Sequence, residues 1–152
     1  MEKTMVLMIG IPGSGKSTFY RQRLSTDFVR VNLDMLKTRE REKELISRCF
    51  SEGKSFVIDD TNVTRQLRES FILPARRQGY RIVGFYMRSS VSECAGRNRQ
   101  RTGAARVPDH VIANMSNRLE LPSRSEGFDE LYYVELREDA YAVTEWREND
   151  EF

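Results

Sequence analysis

The run Gly10-Ile11-Pro12-Gly13-Ser14-Gly15-Lys16-Ser17-Thr18 constrains this chain more than any other stretch. It fits G-x-x-x-x-G-K-[ST], a glycine-rich loop whose backbone cradles phosphates. The flanks supply the context that the pattern needs. Met5-Val6-Leu7-Met8-Ile9 is a continuous apolar run, the mark of a strand buried on both faces. Thr18 to Leu24 can continue as a helix. Backbone N–H groups between such a strand and a helix start can converge on an anion. Gly10, Gly13 and Gly15 lack a Cβ, so the chain can turn tightly and approach a phosphate closely. Lys16 can reach the β- and γ-phosphates of a nucleotide, and the Ser17 hydroxyl can ligate Mg²⁺. Ser14 and Thr18 complete the expected nucleotide-binding set. ATP and Mg²⁺ are the cofactors this loop calls for.

Apolar runs and helical patterns alternate downstream, which predicts an α/β fold with a mainly parallel sheet. Strands are expected at Thr4–Ile9, Phe28–Asn32, Ser55–Asp59 and Arg81–Met87. Two late strands, Leu131–Leu136 and Tyr141–Trp146, can pair as a terminal hairpin around Arg137-Glu138-Asp139. Helices are expected from Gly15 to Leu24 and from Met35 to Ser51, the latter ended by Gly53. Another starts at Thr64 as N-cap, runs to Gln78 with a kink at Pro74, and ends at Gly79. An Arg-rich helix capped by Ser90 or Ser92 reaches Arg101, and one led by Pro108 reaches Leu119. No repeat or low-complexity linker breaks the chain, so residues 1–152 read as one domain. That length can bury about 70% of its unfolded surface.

In an open α/β sheet, ligands bind beyond the C-terminal ends of the strands. Two acidic sites pass that test. Asn32-Leu33-Asp34 follows the second strand, and Asp59-Asp60-Thr61-Asn62 follows the third. A carboxylate so placed suits the Mg²⁺ side of phosphoryl transfer; Asp59 is the metal candidate, with Asp60 beside it. Asp34 is the candidate base for an acceptor hydroxyl, or else a helix N-cap. Arg97 and Arg101 are four residues apart, so on one helix they share a face. They could close over a triphosphate and stabilise charge on the transferred group. Arg99 and Arg106 are the alternatives within a lid of about residues 90–108. Arg65, Arg68, Arg76 and Arg77 read as a solvated helix face.

Composition limits the classes. The net charge is only +2 although 32% of residues are charged. A strongly basic balance, which would favour nucleic acid, is absent. Cys49 and Cys94 have no metal-type spacing and read as reduced thiols. The single histidine, His110, reads as a surface or capping position. No stretch approaches membrane-spanning length, and no signal-type segment precedes the first strand. The expectation is a soluble, cytoplasmic protein without a membrane partner.

The motifs Gly-x-Pro-Gly-Ser-Gly-Lys-Ser-Thr, Val31-Asn32-x-Asp34, Asp59-Asp60-Thr61-Asn62 and Arg97-Asn98-x-x-Arg101 occur in that order. Together they resemble the kinase domain of polynucleotide 5′-hydroxyl kinases. Val107-Pro108 ahead of a helix, and Glu126-Gly127-Phe128-Asp129-Glu130 ahead of a strand, extend the likeness from about Val6 to Leu136. The resemblance implies a three-layer P-loop kinase fold: a mainly parallel five-stranded sheet with a helical, Arg-rich lid. It implies that Asp34 takes the proton of a 5′-hydroxyl and that Arg101 contacts the donor phosphates. It implies an acceptor-binding set of Asp60, Thr61, Asn62 and Lys37. Leu33 stands where many members carry Arg, and Lys37 where some use Arg on the acceptor's phosphate. Lys supplies charge but no bidentate fork. These departures count against a nucleic-acid acceptor; the resemblance nonetheless makes a 5′-hydroxyl nucleic-acid end the expected substrate, with a small-molecule alcohol as the alternative. An ATPase or nucleotide switch without an acceptor comes third. The chain carries no Asp-x-Asp-Gly-Thr phosphatase motif, so 3′-phosphatase activity is not expected.

Overall fold

The computed structural model describes residues 2–88, 91–101, 106–137 and 140–148, with backbone alone at Val91, Ser92 and Arg137. The strands are β1 (Thr4–Ile9), β2 (Val29–Val31), β3 (Phe56–Ile58), β4 (Arg81–Arg88), β5 (Glu130–Arg137) and β6 (Ala140–Glu145). They form one sheet in the order β2-β3-β1-β4-β5-β6. Neighbours from β2 to β5 are parallel, and β6 runs antiparallel to β5. The sheet has six strands rather than the expected five, because both late strands join it beside β4, the last one antiparallel. All five parallel strands thus end on one edge, with the glycine-rich loop leaving β1 at that edge.

The helices are α1 (Lys16–Phe19), α2 (Leu33–Leu36), α3 (Arg39–Glu52), α4 (Arg65–Arg77), α5 (Val91–Asn98) and α6 (Asp109–Arg118). A π-helical stretch, Tyr20–Leu24, continues α1, and a 3₁₀ turn spans Arg124–Glu126. β1 is buried along its whole length. Its alternate side chains feed two cores, as strand geometry requires. Met5, Leu7 and Ile9 pack with Cys49, Phe50, Ile72 and Tyr80 under α3 and α4. Val6 and Met8 pack with Phe19, Leu24 and Val134 on the other face. A third cluster, Ile11, Cys94, Ala95 and Ile112, joins the loop after β1 to α5 and α6. The three-layer arrangement is the expected one. Among the described residues, no helix is long and apolar enough to cross a membrane.

Local chemistry explains where the elements start and stop. Thr64 accepts from the Leu67 N–H and caps α4, as expected. Gly53 ends α3 at φ 64°, a left-handed position that glycine takes freely. α4 continues through Pro74 to Arg77. The single helix expected over Met35–Ser51 is two helices. Asn32, not Asp34, caps α2 by accepting from the Met35 N–H. Lys37 takes φ 77°, and Thr38 caps α3 through the Arg41 N–H. The Arg-rich helix ends at Asn98 rather than Arg101. Asn98 turns its amide onto Val107, accepting from its N–H at 2.7 Å and donating to its carbonyl. Arg101 follows in a turn closed by its N–H on the Asn98 carbonyl, so Arg97 and Arg101 do not share a helical face. Ser90 and residues 102–105, part of the expected lid, lie outside the described residues, as do 138–139 and 149–152.

Candidate phosphate- and acceptor-binding site

The loop takes the backbone shape its glycines permit. Gly13 and Gly15 sit at φ 86° and 98°, where any other residue costs about 1–2 kcal/mol. A Cβ at Gly13 would stand 2.5 Å from the Cys94 carbonyl oxygen. The loop therefore nests directly under α5. Arg97 tightens that contact, its Nε donating to the Gly13 carbonyl at 2.6 Å. A Cβ at Gly10 would lie 2.7 Å from the Ser14 Oγ. The buried Lys16 ammonium folds into the loop, donating to the Gly10 and Ile11 carbonyls at 2.7 and 2.9 Å and to Ser14 Oγ at 3.3 Å. Burial lowers its pKa to about 8, the charge of Asp59 opposing that shift and Arg101 adding to it. Arg101 is half-buried. Arg99 instead pairs with Asp109 at 3.1 Å on the surface, and Arg106 is exposed.

The strand ends are stitched to the loop in sequence. The Gly10 N–H donates to the Thr61 carbonyl at 3.0 Å. Asn32 Nδ2 donates to the Asp59 carbonyl at 2.7 Å. Asp60 Oδ1 accepts from the Leu33 N–H at 3.0 Å. One carboxylate (Asp60), one backbone carbonyl (Asp59) and one amide (Asn32) thereby fix the start of α2, which carries Asp34 in its first turn. Asp34 is exposed. Asp60 is not: its Oδ2 is buried without a hydrogen-bond partner, and burial raises its pKa to about 6. Lys37 is exposed just past α2.

Three residues take places other than those expected. Asn62 is fully buried at φ 46°, its amide donating to the Met8 carbonyl at 2.7 Å. It is a bracket between β1 and the loop after β3 and does not face an acceptor. Thr61 likewise contributes its carbonyl to the glycine-rich loop. Arg68, expected on a solvated face, is fully buried. It grips Glu126 with two nitrogens, at 2.8 and 3.2 Å, and donates to the Asn62 carbonyl at 2.9 Å.

Two residues join the site that sequence reasoning missed. Arg30 Nε donates to Asp59 Oδ2 at 2.7 Å, and its Nη2 donates to Ser17 Oγ at 2.9 Å. Its guanidinium also lies over the Tyr20 ring. The only hint in the sequence is a charged residue between Val29 and Val31. Tyr141, from β6, donates its hydroxyl to the Gly15 carbonyl at 3.2 Å and sets its ring edge on Phe19; that contact comes from strand pairing, which no local pattern reveals.

Ser17 and Asp59 fit a hard cation. Their oxygens already converge on one positive group, and Mg²⁺ takes few protein oxygens beside phosphate and water. Among the described residues no cluster of three His, Cys, Asp or Glu side chains offers another metal site.

A phosphate loop between β1 and α1, acids at the ends of β2 and β3, and a helical cover over the loop define a P-loop fold of the kinase type. The chain belongs to the AAA domain family, which matches residues 36–122. The likeness to polynucleotide kinases also holds. A bifunctional polynucleotide phosphatase/kinase of Schizosaccharomyces pombe is 28% identical over 137 residues, 88% of this chain and 34% of that protein. A putative one from Acanthamoeba polyphaga mimivirus is 31% identical over 140 residues, 88% of this chain and 33% of its own length. The chain thus spans about a third of these curated relatives. A solved fungal RNA kinase superposes with a TM-score of 0.64 at 14% identity, covering 88% of this chain and 38% of that one. A gluconokinase from Sinorhizobium meliloti does so at 0.57 and 18%, covering 87% and 82%.

Proposed function

We propose that this protein is an ATP-dependent kinase that transfers the γ-phosphoryl group to the 5′-hydroxyl of RNA or DNA. The observation that carries the reading is the stitched strand edge. Asn32, Asp59 and Asp60 tie the start of α2, and so Asp34, to the same sheet edge as the phosphate loop. In the proposed reaction the acceptor oxygen attacks the γ-phosphorus in line. The new O–P bond forms as the bond to the β,γ-bridging oxygen breaks, and ADP leaves. Asp34, exposed and free to meet a hydroxyl, takes the acceptor's proton. Lys16 leaves its carbonyl partners for the β- and γ-phosphates, while Arg97 and Arg101 cover the loop from the lid side. Catalysis of this kind is mostly positioning and charge stabilisation. Mg²⁺ held by Ser17 and Asp59 would supply charge neutralisation on the donor phosphates. Asp60 acts through the backbone it holds, and Lys37 is the one cation of the expected acceptor set on the exposed side.

A second reading, a kinase of a small-molecule alcohol, is favoured by Leu33 and Lys37 in place of arginine and by the likeness to a gluconokinase fold. One experiment separates them. The protein is incubated with γ-labelled ATP, Mg²⁺ and either 5′-hydroxyl oligonucleotides or a panel of alcohols. Label on oligonucleotide ends, lost in Asp34→Asn with ATP binding intact, is the expected result. Label on an alcohol alone selects the second reading. Phosphate release that no acceptor changes refutes both.

A further inference from the structure

Arg30 belongs to neither the phosphate loop nor the acid pair, yet it bridges them. Its guanidinium spends two donors on Asp59 Oδ2 and Ser17 Oγ, at 2.7 and 2.9 Å. A third nitrogen approaches the Met35 sulfur at 3.2 Å, next to Asp34. The Tyr20 ring lies 5.5 Å from the guanidinium carbon. Asp59 is 1% exposed, whereas the Arg30 side chain is 22% exposed. A buried carboxylate needs a positive partner, and here an arginine from β2 provides it. The two oxygens it holds are those read above as the Mg²⁺ ligands.

The geometry points to Arg30 as a built-in cation that stands in for Mg²⁺ in the nucleotide-free protein and yields its place when metal and nucleotide arrive together. The inference rests on the reading of Ser17 and Asp59 as metal ligands. It has a direct consequence. Metal alone must displace a charge-assisted pair and gains only two protein oxygens, so it binds poorly. Metal with a triphosphate brings further oxygens, and the partly exposed guanidinium can withdraw toward Met35 and solvent. Arg30 thereby makes metal binding conditional on the donor nucleotide, while keeping Ser17 and Asp59 oriented in its absence.

The test uses the whole chain and Mn²⁺ as probe, with binding followed by electron paramagnetic resonance and calorimetry. Without nucleotide, Arg30→Gln should bind Mn²⁺ at least tenfold more tightly than wild type. Asp59→Asn should abolish the site in either background. With a non-hydrolysable ATP analogue present, the gap between wild type and Arg30→Gln should close to within about threefold. Equal or weaker Mn²⁺ binding by a folded Arg30→Gln overturns the inference. Undiminished binding by Asp59→Asn overturns the ligand assignment beneath it. Neither result depends on which acceptor the kinase uses. Should Arg30→Gln not fold, the wild type still decides. Its Arg30 Nε–H resonance, shielded on a buried carboxylate, should lose its protection from exchange when Mg²⁺ and the analogue are added. A resonance that stays protected in the loaded protein refutes the exchange.

Discussion

Asp60 gives the sharpest test of how this site is built, because its role predicts a stabilising mutation with a pH signature. Its Oδ1 holds the Leu33 N–H, but its Oδ2 is buried with no partner. Burial is the largest cause of its raised pKa; Glu42 and Asp59 add to the rise, and the Leu33 N–H and Arg39 oppose it. A rise from 3.8 to about 6 corresponds to about 3 kcal/mol against the ionised form. The folded protein binds this proton more tightly than the unfolded chain does. Its contribution to stability is therefore full below pH 4 and is lost as pH rises through 6. Asn in this place keeps an oxygen for Leu33 and removes the buried charge, but leaves an amide group short of a partner, at about 1 kcal/mol. Asp60→Asn should then be about 1–2 kcal/mol more stable than wild type at pH 7.5. Urea unfolding at pH 7.5, 6 and 4.5 measures the difference. The gain should shrink as pH falls and reverse near pH 4.5, where the wild-type carboxyl carries its own proton. A variant less stable at pH 7.5, or a difference that pH does not move, would refute the assignment of Asp60 as a buried, charged anchor.

Two other expectations follow from the geometry. Arg68→Met leaves Glu126 and the Asn62 carbonyl without their cation, so urea unfolding should show a loss of about 3–5 kcal/mol, and Glu126→Leu in the same chain should restore much of it. A loss under about 1 kcal/mol would mean that the buried pair contributes nothing. In the lid, Arg101→Ala should lower phosphoryl transfer about 10²–10³-fold, while Arg99→Ala, which breaks only an exposed pair with Asp109, should stay within about twofold; the opposite order would move the donor contact to Arg99.

What could be read from the sequence was whatever depends on neighbours along the chain. The glycine loop, the Thr64 cap, the Gly53 stop and the alternation of β1 between two cores are all set within a few residues. The same holds for the acids after β2 and β3, since parallel strands carry their C-terminal ends to one edge. What escaped depends on pairs distant in sequence. Arg68 looks like a surface residue on α4 until Glu126 arrives from 58 residues away. Asn62 looks like an acceptor ligand until β1 brings the Met8 carbonyl to it. The long helix over Met35–Ser51 looked continuous because its apolar stripe spans the break. Two short caps, Asn32 and Thr38, outcompete that stripe where the stripe is charged and has nothing to bury.

Three carboxylates crowd the edge of this sheet, and the surroundings assign each a different task. Asp59 is buried against Arg30 and cannot serve as a base while that pair holds. Asp60 is spent on a backbone N–H, with its second oxygen sealed away from any substrate. Asp34 alone is exposed, on a two-cap segment whose position the other two fix. A proton acceptor must reach its donor and be ionised when it does so. Asp60 therefore acts as scaffold through the Leu33 N–H, Asp59 turns its carboxylate to Arg30, and Asp34 alone is left facing solvent. On that account Asp60→Asn and Asp34→Asn separate cleanly. The first keeps an oxygen for the Leu33 N–H, so it should leave the base in place and change transfer little. The second should remove transfer while the affinity for ATP stays put. A variant at Asp60 that loses transfer as completely as one at Asp34, with acceptor binding unchanged, would show that the inner acid is the one that takes the proton.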